Sequence, residues 1–178
     1  RYDKLIIATG STPKKLALEG VESRNVFTVK ALDEAYAMKR YLDEEKPRRA
    51  VVIGGGFIGL EMADAFVRRE IEVTMLHNAA QPMSKLEEEG RKIVHEEILK
   101  HGVLFVPSAK VEWLGVGAKG NVVAVGTSAG TVETDIVVVA IGVAPNASLA
   151  GAAGIQRGNF GGICVSDKMK ALGAENIF

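Results

Sequence analysis

A short β-branched run, Ala50-Val51-Val52-Ile53, passes directly into Gly54-Gly55-Gly56-Phe57-Ile58-Gly59, and no other stretch of the chain restricts its fold as tightly. The run is too short for a helix and apolar on both faces, the pattern of a central strand in a parallel sheet. Glycines at the first, third and sixth places of the turn meet three separate steric demands. Gly54 is expected to turn the chain sharply out of the strand, Gly56 to let a bound group approach the backbone, and Gly59 to let a helix lie against the strand. From Leu60 to Arg69 the inward spacing of Met62, Ala63, Phe66 and Val67 predicts that helix, and Val73-Thr74-Met75-Leu76 predicts the next strand. A turn of this kind is a weak signal alone. Between a strand and a helix of a βαβ unit, it points to a dinucleotide pyrophosphate seated on the unpaired N–H groups of the helix N-terminus.

The remaining elements are read around that unit. Leu5 to Ala8 predicts a short strand ended by the turn formers Thr9-Gly10-Ser11-Thr12-Pro13, followed by a loop to about Asn25. Leu32, Ala35, Met38 and Leu42 recur at helical spacing, predicting an amphipathic helix over Ala31 to Glu45 that Pro47 prevents from continuing. Ser84-Lys85-Leu86-Glu87 has capping-box spacing, predicting a helix that buries Leu86, Ile93, Val94 and Ile98 and stops at Gly102. Beyond Val103, strands around Ala109 to Val116, Val122 to Val125 and Val132 to Ile136, separated by glycine-bearing turns, predict an antiparallel meander. Asp135 to Ile141 is continuously apolar after its first residue and is expected to rejoin the parallel sheet, ending at Gly142. The expected fold is therefore α/β: a three-layer, Rossmann-like nucleotide-binding domain with a parallel sheet plus an antiparallel β-meander.

Charge and composition remove competing classes. Twenty-two basic residues balance twenty-two acidic ones in 178 residues, without the footprint of a nucleic-acid or anionic-membrane binder, so the expected partner is a small-molecule nucleotide. No apolar run approaches the roughly 20 residues of a membrane helix. The one cysteine, Cys164, can make neither an internal disulfide nor a metal cluster, which favours a cytoplasmic setting and no metal. A start without Met and directly on a strand-like run reads as an internal piece of a longer chain.

Three segments in order, Ile7-Ala8-Thr9-Gly10-Ser11, Val52 to Glu61 and Val139-Ala140-Ile141-Gly142-Val143-Ala144-Pro145-Asn146, resemble the pyridine nucleotide-disulfide oxidoreductase family over essentially the whole chain. Val143 to Asn146, with no Arg after the glycine, looks most like the single-cysteine branch of CoA-disulfide reductases, NADH oxidases and peroxidases, and persulfide reductases. The resemblance implies residues 1–24 as a segment arriving from an FAD domain, 25–146 as the NAD(P)-binding domain and 147–178 as a segment returning. It implies an FAD-dependent enzyme in which this domain delivers hydride from NAD(P)H to flavin, for a thiol, disulfide, persulfide, peroxide or oxygen acceptor. A homodimer would form through a domain outside this chain. The fragment alone is expected to bind nucleotide but neither to retain FAD nor to oxidise NADH. A nucleotide-sensing module without turnover and a ferredoxin-type reductase remain the alternatives.

The resemblance also implies roles for individual residues. Gly54, Gly55, Gly56, Phe57, Ile58 and Gly59 would contact NAD(P), with Phe57 an aromatic shield for the flavin. Glu61 would lie near the nicotinamide and flavin as the one catalytic candidate, its cationic partner lying outside the chain. Ile141 and Gly142 would line the site at the carboxyl edge of the sheet, and the Val111 backbone would approach the adenine. Thr9, Gly10 and Ser11 would contact FAD. The position 23 residues after Gly54, where an acid ordinarily binds the adenine ribose and repels a 2′-phosphate, is His77, followed by Asn78 rather than Arg. Weak discrimination between NADH and NADPH is expected, with NADPH gaining as His77 protonates. Cys164 reads as a small buried hydrophobe, and His95 and His101 as surface residues.

Overall fold

The computed structural model describes residues 2–178. Two compact units emerge: Pro13–Gly142, and a second made of residues 2–12 with Val143–Phe178.

The Pro13–Gly142 unit is built on five parallel strands in the order β2 (Val26–Phe27), β9 (Ile136–Val139), β3 (Arg49–Ile53), β4 (Glu72–Leu76) and β5 (Leu104–Val106). β3 lies at the centre and is covered on both faces, which is why its sequence does not alternate. Ala50 and Val52 face a helical layer, packing with Met38, Tyr41 and Leu42 of α1 (Leu32–Glu45) and Met62, Ala63 and Phe66 of α2 (Phe57–Val67). Val51 and Ile53 face the other way, against Leu114, Val122 and Val125 of an antiparallel meander. That meander consists of β6 (Val111–Val116), β7 (Val122–Thr127) and β8 (Gly130–Glu133). The three expected layers are present, as helices, parallel sheet and meander.

Local chemistry sets several boundaries. Glu34 reaches back to accept from the N–H groups of Ala31 and Lys30 and from Thr28 Oγ1, closing the first turn of α1 that alanine at the N-cap cannot close. Within α1, Met38 and Leu42 are inward as expected, but Tyr41 joins them and Leu32 is exposed. α2 begins at Phe57, inside the glycine motif rather than at Leu60. α3 (Glu88–Lys100) begins after, not at, the Ser84 to Glu87 signature, and Glu87 makes no side-chain cap. The reason is Met83, whose left-handed φ of 53° and N–H donation to the Gly55 carbonyl turn the chain away from helix until after Leu86. The expected buried face of α3 is consequently reduced: no α3 residue is fully buried, Ile93 is 66% exposed, and Ile98 packs on the core in part.

β2 and β5 are strands that periodicity missed, being only two and three residues long. Asn25, immediately before β2, is wholly buried. Its Nδ2 donates to the carbonyls of Val122 (2.7 Å) and Asp135 (2.9 Å), and its Oδ1 accepts from Val122 N–H (2.9 Å), joining meander to sheet.

In the second unit, β1 (Ser11–Pro13), read as a turn in the sequence, pairs with β10 (Val143–Pro145). Leu5 makes only an isolated bridge to Ile177 where a strand over Leu5 to Ala8 is expected, because that pairing supplies a single ladder step. A short helix, α4 (Ser148–Ala152), contributes Ala150 to a small core with Ile155 and Ala171.

Candidate nucleotide-binding site

The sheet changes winding direction between β3 and β9. The chain moves outward from β3 to β4 and β5, then returns to place β9 on the other side of β3. Open α/β sheets bind ligands at such a switch point, outside the carboxyl ends of the strands. Gly54 to Gly56 follows β3 there, and Ala140 to Gly142 follows β9.

The three glycines of the turn differ in what surrounds them. Gly54 has φ +113°, and a side chain on it would come within 2.3 Å of the Ala140 carbonyl oxygen. A Cβ on Gly59 would lie 1.9 Å from the Gly54 carbonyl oxygen, so α2 rests directly against the turn. Gly56 is the opposite case, since a Cβ there would meet nothing within 4 Å. Gly56 is also the N-cap of α2, with extended backbone (φ −93°) and no side-chain cap. The first N–H groups of α2 therefore have no partner supplied by a cap, beside open space and at the positive end of the helix dipole. An anion fits that cradle.

Around it, Phe57 is 74% exposed, and Ile58, Glu61, Ile141 and Gly142 are exposed as well. Ile141 and Gly142 are held in place from both sides. Ala140 N–H donates to the Ile53 carbonyl, and the Gly142 carbonyl accepts from Lys14 N–H. Gly142 takes φ +100° with free space where a side chain would stand.

His77 follows β4 and lies under the turn. It is 9% exposed, its Nδ1 accepts from Gly55 N–H at 3.1 Å, and its Nε2 is buried without a hydrogen-bond partner among the described residues. Burial pushes its pKa below the ordinary histidine value. The expectation of an imidazolium ready to pair with a 2′-phosphate is thus corrected: Nδ1 already acts as an acceptor and the charged form is disfavoured. Asn78 is exposed beside it. Val111 opens β6 half-buried, paired with Thr127 and packed in part on the meander-side core. The His77 carbonyl accepts from Ala109 N–H two residues before it.

In the other unit, Thr9, Gly10 and Ser11 are drawn together with Asn146, whose importance the sequence did not reveal. Asn146 Nδ2 donates to the Thr9 carbonyl, its Oδ1 accepts from Thr12 Oγ1, and its N–H donates to the Gly10 carbonyl. Cys164 is half-buried. His101 is exposed beside Glu97, but His95 is half-buried against Phe105 (ring centroids 4.8 Å apart) rather than a surface residue. Among the described residues no cluster of His, Cys, Asp or Glu could hold a metal, and no helix is long and apolar enough to cross a membrane.

A Gly-rich turn with one open glycine, at the switch point of a parallel sheet backed by a meander, defines a Rossmann-like α/β domain. The chain belongs to the pyridine nucleotide-disulphide oxidoreductase family, which matches it over residues 1–178. It is 33% identical over 99% of its length to the CoA-dependent NAD(P)H sulfur oxidoreductase of Pyrococcus abyssi, of which it covers 39%. It superposes on the NAD-dependent persulfide reductase of A. fulgidus with a TM-score of 0.91 at 35% identity, covering all of this chain and 32% of that one. An engineered NADPH oxidase bound to NADPH, derived from the Lactobacillus brevis NADH oxidase, gives a TM-score of 0.84 at 27% identity over 99% of this chain and 38% of that one. These relatives bear out the resemblance to the single-cysteine branch. The chain spans about two fifths of the length of the curated relatives it matches.

Proposed function

We propose that this chain is the NAD(P)H-binding part of an FAD-dependent oxidoreductase, and that Gly54 to Gly59 holds the nucleotide pyrophosphate. The observation that carries this reading is the contrast among the glycines: Gly54 and Gly59 are closed against backbone, whereas Gly56 opens onto free space at a helix N-terminus. When bound, NAD(P)H would supply the hydride and FAD the two-electron chemistry for reducing a disulfide, persulfide, peroxide or oxygen acceptor. The chain's own part is to seat the pyrophosphate on α2 and to present Ile141, Gly142, Phe57 and Glu61 toward the nicotinamide end. Val111 and Asn78 stand toward the adenosine end, and Thr9, Gly10 and Ser11 contribute to the FAD side. The full protein forms a homodimer through a further domain and works in the cytoplasm.

Nucleotide choice falls to the end of β4. In the engineered NADPH oxidase, a glycine became alanine, the aspartate eighteen positions later became alanine, and the next residue became arginine. Gly59 and His77 stand eighteen apart here and Asn78 follows, so the acid that excludes a 2′-phosphate is already absent while the arginine that selects one is not supplied. Both nucleotides are therefore substrates. Anaerobic addition of NADH or NADPH to the full-length flavoprotein tests the reading. Bleaching of the flavin spectrum by either supports it, and nucleotide binding without flavin reduction would favour a sensor.

A further inference from the structure

The Gly-rich turn is held from beneath by a side chain hanging from the next strand. Gly55 is engaged on both of its peptide groups: its N–H donates to His77 Nδ1 (3.1 Å), and its carbonyl accepts from Met83 N–H (2.7 Å). A Cβ on Gly55 would stand 3.2 Å from His77 Cγ and 3.3 Å from Pro82 Cβ, so the imidazole and the segment after β4 close around it. A ring nitrogen that accepts from an N–H carries no proton itself. The imidazole is thereby fixed as the neutral tautomer with its proton on Nε2, the atom left buried and, among the described residues, unpartnered.

We propose that His77 is a positioning residue for nucleotide binding: its neutral ring, by accepting the Gly55 N–H, holds the pyrophosphate turn in its binding shape, and protonation of Nδ1 releases it. The proposal rests on the reading of Gly54 to Gly59 as the pyrophosphate site. Its physical basis is that an Nδ1–H would confront the Gly55 N–H donor to donor, so the charged ring and the hydrogen bond exclude each other. The ring's neighbours are Gly55 from the turn, Pro82 from the segment after β4, Phe105 from β5, and beyond Phe105 the ring of His95 from α3. Lys85, Glu87 and Lys110 on the adjoining segments are exposed, and burial is the one cause of the shift in His77 titration. The pyrophosphate is common to both nucleotides, so acid weakens NADH and NADPH alike. An imidazolium paired with a 2′-phosphate would instead strengthen NADPH alone.

The test is nucleotide affinity of the full-length protein, read by fluorescence titration from about pH 8 to about pH 5.5, a window spanning ordinary histidine titration. His77→Asn places an amide oxygen near the Nδ1 position and keeps the acceptor; His77→Leu keeps the bulk and removes it. The wild type should lose about fivefold in affinity for both nucleotides across that window. His77→Asn should bind within about threefold of wild type at pH 8 with a flat profile, and His77→Leu about tenfold more weakly at every pH. Equal weakening by Asn and Leu, or NADPH affinity that rises in acid, overturns the proposal. A wild type that binds neither nucleotide overturns the reading of the turn and the proposal with it. Should the Leu variant not fold, the histidine nitrogen resonances of the wild type decide: protonated Nε2 with bare Nδ1 supports the proposal, and the reverse tautomer overturns it.

Discussion

The peptide N–H of Gly55 donates to Nδ1 of His77, 22 residues further along the chain, across 3.1 Å. The glycine-rich turn after β3 and the residue that follows β4 are thus one hydrogen-bonded unit, and that bond needs the ring of His77 to be unprotonated at Nδ1.

Stability should follow the same ring. Burial holds the folded pKa of His77 below its unfolded value, so in acid the unfolded chain binds the proton first. The contribution is complete above the unfolded pKa of about 6.5 and is lost as pH falls below it. Thermal unfolding of wild type and His77→Asn at about pH 7.5 and about pH 5.5 should show a larger acid-induced drop in Tm for the wild type. Equal drops would mean the ring is not buried neutral.

Gly56→Val should remove nucleotide binding and leave the fold standing. The backbone there is extended and a Cβ would meet nothing within 4 Å, so the branched side chain is expected to project into the space proposed for the pyrophosphate. Affinity by calorimetry should fall at least about a hundredfold, roughly 2.7 kcal/mol, with Tm nearly unchanged. Unaltered affinity would place the pyrophosphate elsewhere.

Gly54→Ala should do the reverse. Its φ of +113° strains any L side chain, and the new Cβ would press on the Ala140 carbonyl, backbone that cannot rotate away. A loss of about 3 kcal/mol or more is expected in urea unfolding followed by circular dichroism. A fully stable variant would show that the turn and the end of β9 can separate freely.

Asn25→Leu is isosteric but strips three hydrogen bonds from the interior, leaving Val122 N–H and two carbonyls without their side-chain partner. The expected loss is about 2 to 4 kcal/mol, read in the same urea experiment. A neutral effect would mean water replaces the amide.

His77→Glu should restore the acid missing at the end of β4 while keeping an acceptor for Gly55. The ratio of kcat/KM for NADH over NADPH in the full-length enzyme should rise at least about tenfold, or roughly 1.4 kcal/mol, through repulsion of the 2′-phosphate. An unchanged ratio would move nucleotide selection to other residues.

The sequence by itself determined the core of this protein's plan. The strand of Ala50 to Ile53, the glycine turn, the following helix and strand, and the meander were all legible, because each depends on steric demands and burial patterns written in adjacent residues. Counting from Gly54 also located His77. The tertiary structure alone decided what depends on partners remote in the chain. β2 and β5 are strands through their neighbours β9 and β4, not through their own two or three residues, and α3 starts late because Met83 is claimed by Gly55. Asn25 and Asn146 look like loop asparagines until the carbonyls they bind are brought beside them by folding. The direction of the His77 ring belongs to the same class. A side chain at a strand end can turn outward to a ligand or inward to the backbone, and here the Gly55 N–H, reachable only once β3 and β4 are paired, turns it inward.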